Sequence, residues 1–182
     1  KGSIKTEGRD EIPSPYLTGL LDKFLDGRMM AAFETARGCP FLCTFCDQAA
    51  TTARRRSPQK VIDEIKHCVE NYGTREISFW DDTMSYHKKW MVEFCNLLID
   101  AKLDLIWSCY AAINTVNKEI LELMAKAGCW NIFYGFETAV DELAKNILTN
   151  RKNTNLERMK QVAQWSREAG IEIRGSFMVG MP

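Results

Sequence analysis

One unit recurs four times between Ser57 and Val179: apolar residues at helical spacing, a glycine or short polar stop, then a short apolar run. In the first unit Ser57-Pro58 supplies a cap and a proline for the first helical position. Val61, Ile65, Cys68, Val69 and Tyr72 then share one helical face, Gly73 ends the helix, and Ile77–Trp80 reads as a strand. Trp90, Met91, Phe94, Cys95, Leu98 and Ile99 mark a second helix before a strand at Leu103–Tyr110. Asn117 caps a third, with Ile120, Leu121, Met124 and Ala127, before Gly128 and a strand at Trp130–Phe136. A short helix near Val140–Leu148 precedes a fourth long one, for which Thr154-Asn155-Leu156-Glu157 reads as a capping box. Gly170 stops that helix and Ile171–Val179 is the last strand. Upstream, Met29–Thr35 reads as a buried strand, and Pro15–Leu25 as a short helix with Leu17, Leu20, Leu21, Phe24 and Leu25 on one side.

Five strands alternating with helices predict an α/β fold: parallel strands joined by crossover helices, curled toward a barrel or wound on both faces. Either way, ligands belong at the carboxyl ends of the strands. Those ends hold a cysteine loop after Arg37-Gly38, then Asp81-Asp82-Thr83, Tyr110–Asn114, Glu137-Thr138 and Gly180-Met181-Pro182. Residues 1–27 read as a linker or arm and residues 28–182 as the core. With 46% hydrophobic residues the 182-residue chain has ample surface to bury, which excludes wholesale disorder. No apolar run is long enough to span a bilayer, and the polar start Lys1–Asp10 has no secretory character. Lys and Arg (24) balance Asp and Glu (24), which argues against a nucleic-acid partner.

Seven cysteines, an odd number without a secretory leader, point to metal or redox chemistry rather than a disulfide framework. Cys68, Cys95, Cys109 and Cys129 stand singly among apolar residues and read as buried. Cys39, Cys43 and Cys46 fall on one loop. A structural zinc site wants four ligands, commonly as two separated pairs, and no second pair follows. A four-cysteine iron–sulfur site lacks its fourth cysteine nearby. Three thiolates on a cubane leave one iron open to a small-molecule chelator.

The loop Cys39-x3-Cys43-x2-Cys46, with Phe45 before the third cysteine, resembles the signature of the radical S-adenosylmethionine superfamily. Ile12–Tyr16, Glu34–Phe41, Phe79–Thr83, Ala127–Cys129 and Gly175–Pro182 resemble the subgroup that often carries an N-terminal cobalamin-binding domain. The resemblance implies a partial (β/α)6 TIM-like barrel, of which the chain holds five strands, the sixth β/α unit being missing after Pro182. It implies a [4Fe–4S] cluster on Cys39, Cys43 and Cys46, and S-adenosylmethionine on the open iron, cleaved reductively to a 5′-deoxyadenosyl radical. It places Phe45 near the adenine, Asp81 and Asp82 at the methionine amino group, and Glu137 at the ribose hydroxyls or the methionine part. Arg174, on one strand face with Ser176, is expected at the carboxylate of S-adenosylmethionine. The bland alternatives are a helix cap for Asp82 or Thr83, a helix-start acid for Glu137, and a solvent-side arginine for Arg174. Arg54-Arg55-Arg56 reads as a solvated loop, and His67 and His87 as surface residues. Cys109 and Tyr110 fall near the expected mouth.

The implied function is a cytoplasmic enzyme that methylates, cyclises or rearranges a small molecule. Its cofactors are the cluster, S-adenosylmethionine and, for the subgroup, cobalamin; an external flavodoxin- or ferredoxin-type donor supplies one electron. A methylthiotransferase-like enzyme acting on RNA or protein is the runner-up, and a non-catalytic iron–sulfur or zinc module the third reading. Where many relatives have an arginine after the third strand, this sequence has Tyr110-Ala111-Ala112-Ile113-Asn114, so the substrate does not carry over by analogy.

Overall fold

The computed structural model describes residues 9–25, 30–147 and 155–180. In chain order the elements are α1 (Asp22–Leu25), β1 (Met30–Phe33), β2 (Ala36–Arg37), β3 (Arg54–Arg55), α2 (Pro58–Tyr72), β4 (Glu76–Phe79), α3 (Lys88–Ala101) and β5 (Ile106–Ala111). There follow α4 (Lys118–Lys126), β6 (Cys129–Glu137), α5 (Asp141–Ile147), α6 (Leu156–Glu168) and β7 (Glu172–Phe177). Five strands form one all-parallel sheet in the order β1-β4-β5-β6-β7. Each new strand adds to the same edge. A doubly wound sheet reverses its strand order at a switch point, so this order selects the barrel-like alternative, and a partial barrel results.

The helices begin and end for local reasons. Ser57 precedes Pro58 in extended conformation, and Gly73 ends α2 at φ 67°. Asn117 Oδ1 accepts from Ile120 N at the start of α4. His87 Nδ1 does the same for Trp90 N at the start of α3, which is the work of that exposed histidine. At α6 the cap is Asn155, whose Oδ1 accepts from Arg158 N; Thr154 of the expected capping box lies outside the described residues.

The main core lies between the sheet and α2, α3, α4 and α6. Ile77 and Phe79 of β4, Trp107 and Cys109 of β5, and Ile132 and Tyr134 of β6 pack there against Ile62, Phe94, Leu121 and Val162. Burying one such side chain contributes roughly 2 kcal/mol. All four single cysteines are buried in it. Tyr16 joins it from the arm, stacked on Phe33 with ring centroids 4.7 Å apart. The expected helix over Pro15–Leu25 shrinks to Asp22–Leu25, because the chain before it is spent on turns that seat Tyr16; Leu17, Leu20 and Phe24 remain exposed.

Alternate residues point to the inner face. Ser78, Ser108 and Asn131 make one rung, and Trp80, Tyr110 and Phe133 lie one rung nearer the carboxyl ends. No described helix is long and apolar enough to cross a membrane.

Candidate active site at the carboxyl ends of the strands

The cysteine loop leaves β1 and returns at β3. Its stems are tied by the antiparallel pair β2–β3, with Ala36 opposite Arg55 and Arg37 opposite Arg54. Gly38 opens the loop at φ 96°, and a Cβ there would lie 2.5 Å from the Thr52 carbonyl oxygen, so this crossing of the two stems requires glycine. Cys39 N donates to Thr51 Oγ1 at 2.8 Å, Cys46 N to the Cys43 carbonyl at 3.2 Å, and Ala50 N to the Phe41 carbonyl at 2.7 Å. A second, small core of Phe41, Cys43, Ala112, Ala144 and Ile147 fastens the loop to α5 and to the end of β5.

Cys39, Cys43 and Cys46 line one cavity of about 200 Å³ with Phe45, Gln48, Asp82, Thr83, Tyr110, Phe133, Gly135, Glu137 and Ser176. No disulfide joins the three cysteines. Three thiols facing two carboxylates across a cavity fit an iron–sulfur cluster beside a zwitterionic ligand. Among the described residues no group of three His, Cys, Asp or Glu side chains could hold a single metal ion; a cubane needs a wider set, since each thiolate meets its own iron. A larger cavity, about 360 Å³, lies between the arm and β1. It holds no thiol, and its charges form ion pairs with one another: Arg9 and Arg37 with Glu34, and Arg56 with Glu64.

The other expected residues divide. Asp82 is exposed at the rim, where its Oδ2 accepts from Gly38 N at 3.0 Å. Neither it nor Thr83 makes a side-chain capping bond to the short 3-10 turn Met84–Tyr86. Asp81 turns away from the cavity and is 1% exposed. Its Oδ1 accepts from Thr35 N at 2.6 Å and Ala36 N at 3.1 Å, and its Oδ2 accepts from Thr35 Oγ1. Burial pushes the Asp81 carboxyl above its ordinary value, against those hydrogen bonds and the nearby Arg55 charge. Glu137 lies at the end of β6 and outside α5, whose first turn carries Asp141 and Glu142 instead. It stands at φ 64°, and Thr138 N reaches back to the Phe136 carbonyl at 2.8 Å. This is a γ-turn of the rare positive-φ kind, a strained conformation for a residue with a side chain. Ser176 Oγ donates to Glu137 Oε2 at 3.4 Å, and Met178 N donates to the Glu137 carbonyl at 2.8 Å.

Arg174 shares the inner face with Ser176, as alternation predicts, but it does not line the cavity. Its Nε and Nη2 both donate to Asn131 Oδ1, at 2.9 and 2.8 Å, away from the cysteine loop. The arginine run also departs from the solvated-loop reading. Arg55 is inward, over the rings of Tyr86 and Trp90 at 5.0 and 5.1 Å, and its Nη2 donates to the carbonyls of Thr83 and Met84. Arg56 pairs with buried Glu64. A period-two reading of β3 would have put Arg55 on the opposite face from its neighbours, and that was the available signal. Gln48, Phe133 and Gly135 enter the cavity with no motif to announce them.

A family model described as the radical SAM superfamily matches residues 33–182. The chain belongs to the radical SAM superfamily. Membership implies the [4Fe–4S] cluster and S-adenosylmethionine, in agreement with the sequence resemblance. An uncharacterized methyltransferase of Pyrococcus horikoshii is 30% identical over 178 residues, covering 95% of this chain and 38% of that protein. The anaerobic magnesium-protoporphyrin IX monomethyl ester cyclase of Rubrivivax gelatinosus is 33% identical over 150 residues, covering 80% and 26%. The chain therefore spans well under half of these relatives. Among solved structures, the cobalamin-dependent S-adenosylmethionine radical enzyme OxsB with aqua-cobalamin bound superposes with TM-score 0.78 at 21% identity, over 96% of this chain and 27% of OxsB. The radical S-adenosylmethionine methyltransferase TsrM of Kitasatospora setae, with cobalamin and a [4Fe–4S] cluster bound, gives 0.76 at 20% identity, over 84% and 31%. These likenesses show the shared fold.

Proposed function

We propose that this chain is the radical-generating core of a cobalamin-linked enzyme that methylates, cyclises or rearranges a small molecule in the cytoplasm. The observation that carries the reading is the single cavity shared by three thiols, two carboxylates and a serine at the carboxyl ends of β4, β6 and β7. Cys39, Cys43 and Cys46 would hold the cluster. When bound, it supplies one-electron cleavage of S-adenosylmethionine to a 5′-deoxyadenosyl radical, with the electron from an external flavodoxin- or ferredoxin-type donor. Asp82, fixed by the Gly38 amide, faces the methionine ammonium as a charge-assisted acceptor. Glu137 would accept hydrogen bonds from the ribose hydroxyls, with its carboxylate oriented by the Ser176 hydroxyl. Phe45, 38% exposed at the cavity wall, packs on the adenine.

Asp81 serves these groups indirectly: it binds the amides of Thr35 and Ala36 and so sets the stem from which Cys39 leaves. The site is walled by Phe41, Tyr110 and Phe133, which exclude water from a reactive radical. Methyltransferase and cyclase relatives support the reaction classes, and the fold shared with two cobalamin-binding enzymes supports the cobalamin link.

Anaerobic reconstitution of the full-length protein tests this. About four irons per chain are expected, together with 5′-deoxyadenosine on reduction in the presence of S-adenosylmethionine. Cys43→Ala should lose both. One tightly held zinc and no 5′-deoxyadenosine would refute the reading.

A further inference from the structure

Next to the cofactor cavity, three aromatic rings cross the inner face of the sheet in one rung. Trp80 at the end of β4 lies 5.7 Å from Tyr110 on β5, and Tyr110 lies 5.2 Å from Phe133 on β6, both pairs tilted by 47°. Ordinary core aromatics of this sheet are fully covered: Phe79 and Trp107, on the other face, are 0% exposed, whereas Trp80 is 60% exposed. Trp80 is nonetheless fixed, because its backbone N–H extends the β1–β4 ladder to the Phe33 carbonyl at 2.8 Å. Tyr110 and Phe133 also line the cysteine cavity, so the row is continuous with it.

The row ends in a cation. Arg174 is the register partner of Phe133 on β7. Its Nε and Nη2 are anchored on the Oδ1 of Asn131, itself 2% exposed. Asn131 is neutral, so it orients the guanidinium without cancelling its charge. Among the described residues no carboxylate pairs with Arg174 within 4.0 Å, Glu172 one rung below included, and Nη1 has no protein partner.

We propose that the row Trp80–Tyr110–Phe133, closed by Arg174, is the substrate platform, and that the substrate is a planar, largely apolar ring system bearing a carboxylate. Neighbouring strands are about 4.8 Å apart, so three rings span roughly 10 Å, room for a fused or multi-ring body rather than a single small chain. The tilted rings offer stacking and edge contacts to such a body. A fixed guanidinium is the matching partner for a carboxylate at its end. Seated there, the body touches the wall of the cavity in which the radical would form. Calling that ligand the substrate rests on the function proposed above; its binding does not.

The test is fluorescence titration of the iron-free full-length protein with pyrenebutyrate, pyrenemethanol and cyclohexanebutyrate. Pyrenebutyrate should bind most tightly. Trp80→Leu should weaken it about tenfold, in line with the loss of one stacking partner, while Trp80→Phe should stay within about threefold of the unaltered protein. That second variant also separates lost stacking from lost folding. Arg174→Gln should weaken pyrenebutyrate about tenfold and leave pyrenemethanol unchanged. Equal binding by Trp80→Leu, equal loss for both pyrenes in Arg174→Gln, cyclohexanebutyrate binding as tightly as pyrenebutyrate, or no pyrenebutyrate binding at all would each overturn the proposal. Formation of 5′-deoxyadenosine by the unaltered holoenzyme is scored separately. If it appears while the titrations fail, only the platform falls; if the titrations succeed without it, only the radical reaction falls.

Discussion

The carboxylate of Asp81 lies 3.7 Å from the guanidinium of Arg55, and both are buried under the cysteine loop. Each joins parts that the loop separates. Asp81 comes from the end of β4 and holds the backbone before Cys39; Arg55 comes from β3, after the loop, and holds the carbonyls of Thr83 and Met84. Burial pushes the Asp81 carboxyl up and the Arg55 guanidinium down in pKa, so both charges are costly where they stand and depend on each other. Asp81→Asn should therefore cost about 3 kcal/mol by leaving Arg55 unpaired, and Arg55→Met a similar amount by stranding Asp81. The double variant should cost clearly less than the sum. Urea unfolding of the four proteins measures this; strict additivity would mean that the pair is not coupled.

At Gly38 the loop crosses its own return strand. Gly38→Ala must set a Cβ against the Thr52 carbonyl and hold alanine at φ 96°. A loss of at least about 2 kcal/mol is expected, with most of the reconstituted iron lost too, because Cys39 is the next residue. Wild-type iron content in Gly38→Ala would show that the loop adapts without moving the thiol.

The parallel sheet is legible because its signals are local and repeated: each helix stops near a glycine or cap, and each strand is a short run rich in apolar residues. The thiol triad was legible because its three members sit on one short loop. What sequence could not separate were residues whose roles depend on the other end of a contact. Asp81 and Asp82 are neighbours with the same chemistry. One is spent on Thr35 and Arg55 and the other reaches the cavity, and only the register of β1 against β4 decides which. Alternation sets Arg174 on one face with Ser176, but Asn131, 43 residues away, sets its direction. The arginine run looked solvated because nothing near it in sequence shows the rings of Tyr86 and Trp90 or the carboxylate of Glu64.

The seven thiols should divide in two steps on labelling the iron-free protein with iodoacetamide at pH 8. Burial pushes the Cys68 and Cys95 thiols up to about 12, and Cys129 well above its ordinary value. At pH 8 a thiol with a pKa of about 12 is thiolate in only roughly one part in ten thousand, and thiolate is the reacting form. Cys39 and Cys46 are partly exposed, and the other five are buried. Two alkylations in the native protein and five more after unfolding are expected by mass spectrometry. Loading the cluster first should remove the two native ones. Rapid native labelling of Cys68 or Cys95 would contradict the packing.

Glu137 offers a position where stability and binding can be separated. Its backbone at φ 64° favours glycine, and its carboxylate faces the cavity with Ser176. Glu137→Ala and Glu137→Gly both remove the carboxylate, so both should weaken S-adenosylmethionine binding to the reconstituted full-length protein, by about tenfold. Only glycine relieves the γ-turn, so Glu137→Gly should be more stable than Glu137→Ala by about 1 kcal/mol. Equilibrium dialysis and urea unfolding of the two variants read the two effects separately. Equal stability would mean that the turn relaxes at no cost, and unchanged affinity would remove Glu137 from the ligand contacts.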